Sequence, residues 1–76
     1  MRFIELMIPE RGEKYEMHID ENVKMETLKE TLCERFESDK RYPLLYHVRT
    51  GKVLHGEISV KCAGIESGDR LMLLWR

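Results

Sequence analysis

The side chains able to do covalent or metal chemistry in this chain are few and scattered. Two cysteines, Cys33 and Cys62, stand singly and far apart, where an iron–sulfur cluster would need four thiolates. Cys62 follows Lys61 in an irregular stretch and Cys33 adjoins Leu32 in a helical one. Each is therefore expected as a small, partly buried packing residue. The histidines, His18, His47 and His55, have no ligand partner at finger-like spacing and are expected on the surface. No local signature marks a Cys–His nucleophile, and the carboxylates are dispersed along faces where solvation is their expected role. The pattern supplies no catalytic residue, no metal site and no cofactor, so the expectation is a protein that is not an enzyme.

The totals point the same way. Seventy-six residues make one domain, residues 1–76, with one economical core. A net charge of −1 with interspersed signs and no Lys/Arg block leaves no footprint for nucleic acid. The opening "MRFIELMIPERG" is broken by Glu5 and has no small-residue cleavage site, so it does not read as a signal peptide. No run approaches the ~20 apolar residues of a membrane span. The expected location is the cytoplasm, with reduced thiols and no direct membrane insertion.

The elements that must position any functional surface follow from periodicity. Residues 2–8 alternate as a strand with Ile4, Leu6 and Ile8 inward and Phe3, Glu5 and Met7 outward. "PERGEK" turns the chain, and the return strand sends Tyr15, Met17 and Ile19 inward and Glu16, His18 and Asp20 outward. A helix over 23–38, with Asn22 as its N-cap, carries the stripe Met25, Leu28, Leu32, Phe36. Its like-charged pair Glu30 and Glu34 leaves it dependent on docking. After "SDKRYP", the strands "LLYHVR" and "VL" flank "TGK", where Gly51 closes a hairpin. An irregular segment with turn positions at Gly56 and Gly64 leads through "ESGD" to a last strand, "RLMLLWR". That strand has no sequence neighbour to pair with. Inserted in parallel beside the first, it makes an α+β roll, a mixed four- to five-stranded sheet with one helix packed across it.

On these features the chain resembles ubiquitin-like proteins over its length, with the β-grasp fold that this implies. "RTGKVL" and "GIESGDRLMLL" carry the likeness. The nearer resemblance, in "KVLHGEISVKCAGIESGDRL", is to bacterial ubiquitin-like proteins of the YukD/EsaB family, which are associated with type VII secretion. That resemblance implies an accessory or regulatory component whose partner is another secretion-system protein. Two alternatives stand beside it. One is a modifier or sulfur carrier acting through a carboxyl-terminal Gly-Gly tail, against which the sequence ends in Leu74, Trp75 and Arg76. The other is an adaptor domain of a larger protein.

What remains for function is surface. With Leu71 and Leu73 inward, Met72 and Leu74 turn outward beside Phe3 and Met7, and either His47 or Val48 joins them, depending on register. Phe3, Met7, Val48, Met72, Leu74 and Trp75 are the expected protein-binding face, for a partner or for self-association. For Trp75 the competing expectation is a lid folded back on the edge of the core.

Overall fold

A computed structural model describes residues 1–36 and 43–75. Strand β1 (Arg2–Ile8) turns through a short 3-10 segment (Pro9–Arg11) into β2 (Glu13–Ile19). Helix α1 (Met25–Arg35) follows, then β3 (Pro43–His47), β4 (Lys52–Leu54) and β5 (Arg70–Trp75). The five strands form one sheet in the order β2-β1-β5-β3-β4. β1 and β5 run parallel at its centre, and every other neighbouring pair is antiparallel. The α+β roll expected from the element order is the observed architecture.

Period-two alternation sets the inner face. Ile4, Leu6 and Ile8 of β1 are fully buried, as are Leu71 and Leu73 of β5. Met25, Leu28, Leu32 and Phe36 cover them from the helix side, which is the stripe the 3.6-residue period predicts. Tyr15 and Met17 of β2 pack against this core from its margin, and the Tyr15 ring meets Phe36 at 4.7 Å between centroids.

The start of α1 differs from expectation. The cap position is Lys24, with extended backbone and no side-chain hydrogen bond, so Asn22 does not cap the helix. Asn22 instead donates its backbone N–H to Asp20 Oδ1 at 2.8 Å. Two of the orphan N–H groups of the first turn find tertiary acceptors: Met25 donates to the Ile58 carbonyl at 2.8 Å and Glu26 to the Gly56 carbonyl at 3.1 Å. Gly56 returns the bond, donating its N–H to Glu26 Oε1 at 3.0 Å. That donor, with the Lys29 ammonium behind it, holds the Glu26 carboxyl below its ordinary value. The segment between β4 and β5 therefore does the work of a cap. At the other end the helix stops at Arg35, and the expected continuation to Ser38 lies outside the described residues.

Gly56 can offer both its N–H and its carbonyl to one residue because its φ is +88°. A side chain there meets no neighbour within 4 Å, so only the backbone resists substitution. Gly56→Ala is expected to lower stability by about 1–2 kcal/mol. In urea unfolding the midpoint should fall with the slope unchanged. An unshifted midpoint would show that the capping segment holds without this conformation.

Candidate functional site

The helix covers one face of the sheet and leaves the other open. On the open face, strand register decides which side chains become neighbours. Lys14, Met7, Met72, Tyr46 and Val53 are successive partners across β2, β1, β5, β3 and β4. They form one row crossing the whole sheet, apolar or aromatic from Met7 to Val53. Leu74 and Leu44, also partners, extend the apolar area on one side of it. The residues of this patch are half-buried, except Val53, which is 44% exposed.

On the other side runs a charged row, Glu16, Glu5 and Arg70. Arg70 Nε lies 2.9 Å from Glu5 Oε1, and this ion pair divides the open face. Phe3 lies beyond it and meets the His18 ring at a tilt, with ring centroids 5.1 Å apart. The expected contact set is therefore split. Met7, Met72 and Leu74 fall in the apolar patch, and Phe3 falls outside it.

Val48 and Trp75 also depart from expectation. β3 ends at His47, so Val48 sits in the turn beyond the strand. It is exposed there and donates its N–H to the Arg70 carbonyl at 3.1 Å, beside the charged row. Trp75 is only 7% exposed, on the buried side of β5. The same period of two that sends Leu71 and Leu73 inward carries Trp75 with them. Arg11 roofs its ring at 5.5 Å and also donates to the Phe36 carbonyl. The lid, and not the contact surface, is what the structure shows for Trp75. Leu44, Tyr46 and Val53 were missed, because their membership depends on the pairing of β3 with β5 and β4.

The second site is polar and also contradicts expectation. His47 pairs with Leu71, faces inward and has no exposed surface. Asp69, in the turn before β5, is 8% exposed, so it is not one of the solvated carboxylates. His47 Nε2 lies 2.7 Å from Asp69 Oδ2. Arg49 reaches both carboxylate oxygens, Nε to Oδ1 at 2.9 Å and Nη2 to Oδ2 at 3.0 Å, and the Glu66 N–H donates to Oδ2 at 2.9 Å. Arg49 above all, helped by the Glu66 N–H and by His47, holds the Asp69 carboxyl well below the usual carboxylate range despite its burial. An ionised carboxylate only accepts, so the proton of this contact is on His47 Nε2. The other ring nitrogen, Nδ1, is 3.1 Å from Thr50 Oγ1.

Thr50, His47 and Asp69 thus stand in the order hydroxyl, imidazole, carboxylate. The arrangement suits a latch better than a nucleophile. Arg49 already neutralises the carboxylate, and the imidazole has no contact with solvent. The cluster ties the β3–β4 turn to the turn that launches β5, and Arg49 Nη2 adds a bond to the Gly64 carbonyl at 2.8 Å.

The remaining candidates stay apart. Cys33 is half-buried on α1, while Cys62 is exposed, not partly buried as expected. Cys62 borders an open groove with Val53, His55 and Ile58. His18 and His55 are exposed, as expected. Among the described residues no group of His, Cys, Asp or Glu side chains could hold a metal ion, and no helix is long and apolar enough to cross a membrane.

No family model and no curated protein sequence matches the chain. Solved structures do. The chain superposes on the ubiquitin of Caldiarchaeum subterraneum with a TM-score of 0.81 at 17% identity, covering 99% of this chain and 92% of that one. The UBL domain of Plasmodium falciparum Dsk2 gives 0.81 at 16% identity, covering 99% and 97%. A ubiquitin-like domain of an Arabidopsis thaliana protein gives 0.79 at 13%, covering 97% and 76%. At these identities the likeness shows the fold, and that fold is the ubiquitin-like β-grasp.

The latch yields a pH-dependent expectation. A carboxyl whose folded pKa is depressed adds stability above its unfolded pKa, and loses it as pH falls through the folded value. Asp69→Asn should therefore cost about 3 kcal/mol at neutral pH, the scale of a broken buried ion pair. The gap between native protein and variant should close as the solution is acidified below about pH 4. Denaturant titrations across that range measure it. A gap constant with pH would mean that the carboxylate charge is not what holds the turns.

Proposed function

We propose that this chain is a ubiquitin-like protein–protein interaction module that works by docking the open face of its sheet on a partner protein. The observation that supports it is the row Met7, Met72, Tyr46, Val53, continued by Leu74 and Leu44. Burying such a patch, with charged side chains at its margin, is the ordinary source of interface energy. The Glu5–Arg70 pair sets one border of the contact and Lys14 marks the end of the row. Both can orient the partner without adding much affinity.

The finer proposal is that the partner is a component of a bacterial type VII secretion system, with this chain in an accessory or regulatory role. It rests on the likeness of "KVLHGEISVKCAGIESGDRL" to the secretion-associated proteins. Self-association through the same face is the competing use of the same chemistry.

A Met72→Asp, Leu74→Asp double variant should lose partner recovery in a pull-down by at least about tenfold, the effect of about 1.4 kcal/mol. Its circular dichroism should match that of the native protein. Phe3→Ser, across the ion pair, should bind nearly as well as the native chain. Equal recovery by the double variant would reject the face, and equal loss by Phe3→Ser would reject the boundary. Mass spectrometry of the recovered protein identifies the partner. A covalent adduct formed with an activating enzyme and ATP would favour a modifier instead.

A further inference from the structure

Two of the four apolar or aromatic side chains in the central row are methionines, and they are partners of each other. Met7 and Met72 face the same side at one register position of the parallel β1–β5 pair. Both are half-buried. Met25, by contrast, is sealed in the core with no exposed surface. An accessible thioether is a soft nucleophile toward peroxide, and its oxidation turns an apolar side chain into a strongly polar one.

The neighbours of this pair fit the oxidised state as well as the reduced one. Lys14 is the cross-strand partner of Met7. Arg70 precedes Met72 by two residues and shares its face. Lys14 and Arg70, whose charged groups are donors only, thus hold neighbouring positions on the face of the pair. A sulfoxide oxygen is an acceptor, so each oxidised side chain would have a cationic residue at an adjacent position of the face. The geometry points to Met7 and Met72 as a reversible oxidation site whose sulfoxide form makes the docking stripe polar. This inference rests on the docking role proposed above for the same face.

The chemistry balances with a peroxide as oxidant. A sulfur lone pair attacks one peroxide oxygen and the O–O bond breaks. The thioether is oxidised by two electrons to the sulfoxide, and the peroxide is reduced to water. In the return step two thiols supply the electrons. The sulfoxide oxygen leaves as water and the thiols become a disulfide, through a methionine sulfoxide reductase.

The test uses the full chain and graded hydrogen peroxide, with peptide-mapped mass spectrometry. Met7 and Met72 should each gain one oxygen at least about tenfold faster than Met25. Circular dichroism should hold, and the backbone amide resonances of Tyr46 and Val53 should shift. Sulfoxide reductases of both stereospecificities with dithiothreitol should remove both oxygens. The oxidised protein should lose the partner captured through this face by at least about tenfold, again the effect of about 1.4 kcal/mol. A Met7→Leu, Met72→Leu double variant should keep that partner under the same peroxide. Met25 oxidising in step with the pair, or undiminished binding by the oxidised protein, would overturn the inference. Mapping and repair need no partner, so they separate its failure from failure of the docking face, which the Met72→Asp, Leu74→Asp variant reports.

Discussion

The parallel pairing of β1 with β5 is the constraint on which the rest of the molecule depends. It joins Glu5 to Arg70, Leu6 to Leu71 and Met7 to Met72, the first element to the last. Closing so long a loop is entropically unfavourable, and the core offsets it by burying Leu6 and Leu71 in full. The junction is reinforced at the entry to β5, where Gly68 donates to the Phe3 carbonyl at 2.7 Å and Glu5 to the Asp69 carbonyl at 3.0 Å. The same register sets Met7 beside Met72 on the opposite face. Core and candidate docking stripe are two sides of one pairing.

The polar latch depends on that junction and protects it. Asp69 is buried because β5 must begin deep in the sheet, and a carboxylate brought there needs donors on every side. Arg49, His47 and the Glu66 N–H supply them. A buried ion pair of this kind adds little net stability over a well-packed apolar substitute, but breaking one half of it is costly. Its consequence is positional: the turn after β3 and the turn before β5 are held in one relative placement, and with them the register that aligns Tyr46 with Met72.

Most of the fold was legible in the sequence because two periodicities carry it. Alternation in β1 and β2, and the stripe from Met25 to Phe36, report which side of each element is buried, and burial is what the core requires. The irregular stretch after β4 was legible only as turns at Gly56 and Gly64, since its bonds to α1 are tertiary. The candidate docking face was half legible. Met7, Met72 and Leu74 follow from parity within their own strands. Leu44, Tyr46 and Val53 require knowing which strand pairs with which, and at what register. His47 looked like a surface histidine because its partner Asp69 lies on another element, and no local pattern joins them. Trp75 could have been placed by extending the parity of Leu71 and Leu73. The residues behind the nearer family resemblance, among them Gly56, Gly64, Gly68 and Asp69, also turn out to be ones this fold needs for its turns and latch.

The position of β5 has a further consequence, for how the molecule comes into being. The strand at the centre of the sheet is the last of the five in sequence, and it pairs on both sides. Until it leaves the ribosome, the β1–β2 hairpin and the β3–β4 hairpin have no edge in common. Each would display an unpaired inner edge and half a core, the kind of surface that invites association between nascent chains. Completion of the sheet therefore waits on its final strand, and long-range closure of this kind is intrinsically slower than forming the helix.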